Sequence, residues 1–147
     1  AMQSGLCDLG YATWSMHSGQ FTEPHVLAPQ PTAHLHRYSM RLDGFVSAQA
    51  AYAGGELITR PITFTGKELT VNFGTSAAGH ISVELQDPSG RPIPGFTLED
   101  ANQQIGNEIE RVVSWKQGSH LSSLSGKPVR LRFIIKDADL YSFKFNE

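Results

Sequence analysis

The chain has 147 residues, 12 Lys plus Arg against 14 Asp plus Glu, a net charge of −2, and one cysteine. That length fits one domain with one core. The near-neutral balance excludes a basic nucleic-acid surface as the main partner, and a lone cysteine excludes an internal disulfide or a four-cysteine zinc site. No apolar run approaches the ~18 residues of a membrane-spanning helix, so no membrane partner is expected.

Taken in chain order, Ala1-Met2 reads as a cloning scar on an excised piece of a larger protein, and no basic-then-apolar leader follows. A strand is expected over residues 10–18. Residues 19–31 carry Pro24, Pro29 and Pro31 and read as a long irregular connection. Strands follow over 35–42 and 45–52, split by Asp43-Gly44, which signals a two-residue hairpin. After Gly54-Gly55 a strand is expected over 57–64, ended by Thr65-Gly66-Lys67.

Period-two alternation then dominates. It places Leu69, Val71 and Phe73 on one face of a strand over 68–73, and Ile81, Val83 and Leu85 on one face of a strand over 80–86, with a turn at 76–79 between them. Asp87-Pro88-Ser89-Gly90 reads as a turn. Thr97 to Asp100 can cap one helical turn and residues 119–124 can make another. The expected strand over 109–115 carries Trp115 as a core residue. Val129, Leu131, Phe133 and Ile135 alternate inward over 129–135, and Tyr141, Phe143 and Phe145 share a face over 140–145. About nine short, half-buried strands predict an all-β antiparallel sandwich of jelly-roll type spanning 1–147 as one domain.

The chemistry is searched by residue type. His34 and His36 fall on one strand face, a spacing suited to zinc given a third ligand, or to two surface histidines. No H-E-x-x-H, G-x-S-x-G or phosphate loop occurs, and Cys7 has no evident partner. Asp43, Glu56, Glu84, Asp87, Glu99, Asp100, Asp137 and Asp139 offer no pair singled out for glycoside hydrolysis. Asp137, Asp139, Glu99 and Asp100 leave a structural calcium open, or serve as bends. No other cofactor and no catalytic metal is expected.

Sugar binding asks for less: a flat ring to stack on and polar groups for the hydroxyls. Trp14, Tyr11 and Tyr52 are candidate platforms, though Trp14 suits the core or a neighbouring domain as well. The polar faces of the alternating strands supply Asn72, His80, Ser82, Glu84, Gln86, Arg130 and Arg132, expected to point outward; the same face can be a solvated surface held by Arg–Glu pairs across strands.

Three runs carry a family resemblance: Arg41-Leu42-Asp43-Gly44-Phe45-Val46-Ser47; Tyr52-Ala53-Gly54-Gly55-Glu56 with Thr59 and Pro61; and Gly126-Lys127-Pro128-Val129-Arg130-Leu131-Arg132-Phe133 followed by residues 136–143. Over residues 37–145 the chain resembles the C-terminal module of bacterial glycoside-hydrolase-like and sialidase-like propeller proteins, frequent in planctomycetes. The resemblance implies a β-sandwich appended to a five-bladed propeller in an extracellular or periplasmic protein acting on polysaccharides. The expected function is therefore a non-catalytic carbohydrate-binding module. Its partners would be a polysaccharide or oligosaccharide and the parent enzyme's catalytic domain in cis. The alternatives are a structural domain that braces the propeller without a ligand, and a small glycosidase or polysaccharide lyase.

Overall fold

The computed structural model describes residues 6–12 and 35–147, with side chains from residue 37 onward. The expected connection over 19–31 and the terminal dipeptide lie outside the described residues. The chain divides into two compact units, residues 1–42 and 43–147. In the first, β1 (Leu6–Ala12) and β2 (Leu35–Arg41) form an antiparallel ribbon, Leu6 opposite Arg41 and Ala12 opposite Leu35.

The second unit holds β3 (Ala48–Ala50), β4 (Gly55–Ile58), β5 (Ile62–Thr63), β6 (Glu68–Gln86), β7 (Asn107–Val112) and β8 (Pro128–Asn146). All pair antiparallel in the order β3-β8-β6-β7, and β4 and β5 lie along β8 as well. The all-β, antiparallel expectation holds. The sheet curls into a half-barrel built on two 19-residue strands, β6 and β8. Among the described residues there are eight strands and no α-helix; the turn near residue 122 is a 3-10 turn, Ser122–Leu124.

Two expected turns prove to be bulges inside these long strands. Thr75 pairs with Ala138 and His80 with Lys136, so residues 76–79 stand against Asp137 alone. Asp137 takes a positive φ of 44°. Gly79 is needed there because the Asp137 carbonyl oxygen occupies the place a β-carbon would take. Bulges bend a strand and increase its twist without reversing it, which is how two alternating runs merge into one curled strand. Likewise residues 42–45 do turn, with Asp43 at φ 56°, but not as a hairpin: β2 pairs with β1, and β3 pairs with β8.

The apolar alternation buries as its period demands. Leu69, Phe73, Ile81, Val83, Leu85, Leu131 and Phe133 are fully buried, with Val71, Val129 and Ile135 almost so. Each contributes about 1.5–3 kcal/mol relative to exposure. Phe64, Val113, Trp115, Leu121 and Leu124 from the connecting segments close the core over that face. Trp115 is buried as expected; its Nε1–H donates to the Val83 carbonyl at 2.9 Å, and Phe96 packs edge-on against it at 5.2 Å. Phe145 stacks on Phe64 at 3.9 Å between centroids.

One patterning expectation is corrected. The polar face of β6 is not solvated: Thr70, Asn72, Ser82, Glu84 and Gln86 are all buried. β6 is an interior strand, flanked by β8 on one edge and by β7 and then the 92–104 segment on the other, through bridges Gln86–Pro92 and Ile81–Gln104. That segment also reaches the polar face, where the Leu98 N–H donates to Glu84.

Candidate functional site

Antiparallel register puts directly opposite residues on the same face of a sheet. β6 and β8 therefore share a row of opposed residues, three polar pairs interrupted by one apolar residue: Lys136 with His80, Ile134 with Ser82, Arg132 with Glu84, and Arg130 with Gln86. β4 extends the row sideways, setting Glu56 opposite Ile134 and Ile58 opposite Arg132. From Arg130 to Lys136 the strip runs about 20 Å at the rise of an extended strand.

Glu84 is the hub. Its side chain is 4% exposed and faces Arg132 Nη1 at 3.3 Å. The same Oε1 accepts Gln86 Nε2 at 2.8 Å, and Oε2 accepts the Leu98 N–H at 3.1 Å. Both oxygens are engaged, so neither is placed to take a substrate proton or attack a sugar carbon. Arg132 also donates through Nε to Glu56 at 2.8 Å. That bond, foremost, and Glu84 second hold the Arg132 guanidinium above its ordinary range against the opposing effect of burial. The Arg–Glu pairing that alternation allowed is thus present at Arg132.

Arg130 differs from Arg132. Its Nε is buried with no hydrogen-bond partner, and among the described residues it makes no ion pair. At the other end of the strip Tyr52 is 64% exposed, and Lys136 Nζ lies over its ring at 4.4 Å from the centroid, a cation–π contact.

Of the sequence candidates, the fold brings His80, Glu84, Arg130 and Arg132 onto one face with Tyr52 at its end. Asn72 lies further along β6 and is 3% exposed, which withdraws it from solvent. Tyr11 sits on β1 opposite His36, and its side chain lies outside the described residues, as do Trp14 and the His34–His36 pair's side chains. Glu56 and Lys136 complete the strip. The sequence marks Glu56 only as one of eight carboxylates and does not mark Lys136, because the first reaches the strip through the β4–β8 register and the second through the bulge.

Two of the four calcium candidates, Asp139 and Asp100, are engaged by other side chains. Asp139 accepts Ser47 Oγ at 2.7 Å. Asp100 accepts Thr97 Oγ1 at 2.9 Å and pairs with Lys116 at 3.4 Å. Among the described residues no group of three or more His, Cys, Asp and Glu side chains is placed to hold a metal ion. Asp87 anchors the following turn: it accepts Ser89 Oγ, the Arg91 and Ser89 N–H groups and Arg91 Nε. These bonds, the Ser89 hydroxyl first, hold its carboxyl well below the usual carboxylate range.

A separate apolar groove lies beside β3 and β8, lined by Val46, Ala48, Leu57, Leu140, Tyr141 and Phe143. Val46 is 76% exposed and the adjoining Phe45 74%. Comparison with protein families, with curated proteins and with solved structures finds no match to this chain.

Proposed function

We propose that the chain is a non-catalytic carbohydrate-binding module, with the strip from Tyr52 to Arg130 as its glycan face. The observation that carries this reading is an exposed aromatic ring at the end of a row of charged and polar side chains on a rigid sheet. Lys136 covers one face of Tyr52, and its 64% exposure leaves the ring open to stack on a sugar. His80, Glu56 and Arg132 supply donors and acceptors along the row. Buried Glu84 serves by fixing Arg132, not by touching ligand. The curled sheet with its covering loops is read as a reduced jelly-roll sandwich, joined in an extracellular or periplasmic protein to a propeller-type catalytic domain.

Affinity electrophoresis against a panel of neutral and acidic polysaccharides tests the reading. The expected result is retardation by at least one polymer, weakened about tenfold in Tyr52→Ala. Full mobility in every gel defeats it.

The groove at Val46, Leu57 and Phe143 favours a second reading, a bracing domain that docks on its neighbour and binds no sugar. An exposed apolar patch of this kind is what a docked domain leaves behind. It predicts that Val46→Asp weakens association with the parent protein and leaves every polysaccharide gel unchanged.

A further inference from the structure

We infer that a cleft beside Tyr52, between Gln49, Gly74, Ser76, Asp137 and Asp139, is a subsite for one uncharged sugar unit of the glycan, held through its hydroxyl groups. This inference rests on the carbohydrate-binding reading and names the kind of sugar that the face takes.

Register and bulge together build the cleft. Gln49 of β3 stands opposite Asp139 of β8, and Asp139 opposite Gly74 of β6, so the three share a face. Ala138 and Leu140, on either side of Asp139, are buried in the core. Asp139 therefore belongs to the other face, as Arg132 does between buried Leu131 and Phe133. The bulge adds Asp137 and Ser76 to the same opening. The cleft holds about 530 Å³, within the roughly 300–1,000 Å³ of small-ligand sites. Gly74 leaves that room because it has no side chain to fill it, and exposed Gln49 and Ser76 keep the cleft open to solvent. The Asp137 N–H donates to the Ala51 carbonyl at 3.1 Å, which ties the rim to β8. Ala51 lines the cleft and Tyr52 follows it, while Lys136, whose Nζ lies over the Tyr52 ring, precedes Asp137. The cleft is thus in reach of the sugar next to one stacked on that ring.

The lining sets the ligand. Asp139 accepts Ser47 Oγ through Oδ1 at 2.7 Å, which leaves Oδ2 available, and among the described residues no hydrogen bond or ion pair engages the Asp137 carboxylate. An ionised carboxylate only accepts, and it takes sugar hydroxyls in charge-assisted bonds. Ser76 Oγ accepts the Ala78 N–H at 3.2 Å and keeps its own proton to donate. Gln49 adds an acceptor and two donors. A uronate or a sulfate ester would set its charge against both aspartates, and like charges so placed reject a ligand.

Affinity electrophoresis of the full chain in EDTA tests the subsite. Each polymer of the panel is run beside a partner that differs in its anionic group: hydroxyethylcellulose beside carboxymethylcellulose, dextran beside dextran sulfate, polygalacturonate beside its carboxyl-reduced form. Circular dichroism confirms that each variant folds. The neutral member of a bound pair is expected to bind at least tenfold tighter than the acidic one. Asp137→Asn should weaken the neutral polymer about tenfold and narrow that gap; asparagine keeps the volume and tolerates the positive φ of 44°. Gly74→Val fills the cleft and should weaken binding at least tenfold; a β-carbon there meets only Asn107 Oδ1 at 3.6 Å, an ordinary contact. Glu147→Gln removes the same charge from an exposed residue past the far end of β8 and should change neither affinity nor gap. Acidic polymers bound as tightly as neutral ones overturn the subsite and leave the carbohydrate module standing. So does a gap that Glu147→Gln narrows as far as Asp137→Asn, neutral binding that both cleft variants retain, or binding that appears only when calcium replaces EDTA. No binding to any polymer defeats both.

Discussion

Removing the Glu84 carboxylate is the sharpest perturbation of the strip. In Glu84→Ala three donors lose their acceptor: Arg132 Nη1, Gln86 Nε2 and the Leu98 N–H. Breaking a buried ion pair from one side costs about 3–5 kcal/mol. Arg132 retains Glu56 and is 27% exposed, so its own share falls toward the low end. Gln86 as a buried unpaired donor adds about 1 kcal/mol or more, and the partly buried Leu98 amide adds less. The expected loss is about 3–5 kcal/mol, read in urea from the midpoint at unchanged slope. Glu84→Gln keeps the volume but turns an acceptor into a donor that faces other donors, so about 2–3 kcal/mol is expected. Replacing Glu84 and Arg132 together by Met is expected to recover part of the single-variant loss, because the charge left without its partner, Glu56, is 42% exposed and solvated rather than buried. If Glu84→Ala unfolds within about 0.5 kcal/mol of the parent at the same slope, the hub is not structural and the reasoning fails.

Other outcomes follow from the same contacts. Gly79→Ala is expected to unfold the second unit or cost more than about 3 kcal/mol, because the Asp137 carbonyl blocks a β-carbon. Gly126→Ala, at φ 77° with open space around it, should cost only about 1–2 kcal/mol; equal losses in thermal melts would contradict the close approach. Trp115→Phe removes the bond to the Val83 carbonyl and leaves a void, so a loss of about 2–4 kcal/mol is expected by chemical denaturation; a parent-like midpoint would contradict it. Asp87 has a lowered folded-state pKa. Its support of the 87–91 turn is therefore complete above an unfolded value of about 3.9 and is withdrawn as pH falls through the folded value. A carboxyl carbon titration by NMR should place the midpoint well below that of an unperturbed aspartate, and a midpoint near 4 would refute the network.

The core was legible because its period is strict: Leu69, Val71 and Phe73, then Ile81, Val83 and Leu85, bury as read. Trp115 was legible for a different reason, since it follows an apolar run and precedes a turn. The strand count was not legible. Glycine and small residues at 76–79 and the Asp137-Ala138-Asp139 run carry turn chemistry, yet they serve as bulges, and local composition does not distinguish a reversal from a bend. Nor was the burial of Glu84 and Asn72, because alternation tells which residues share a face and not what covers that face. The Arg132–Glu84 pair was half legible: both residues were candidates, and only register joins them.

The central claim is that one face, from Tyr52 past Lys136 and Arg132 to Arg130, meets the glycan. The most direct measurement is amide chemical-shift mapping of the labelled chain during titration with oligosaccharides of each polymer in the panel, neutral and acidic. The account predicts saturable shifts concentrated at residues 52–60, 80–86 and 130–136. Shifts concentrated instead at Val46, Leu57 and Tyr141, or none at saturating oligosaccharide, would contradict it.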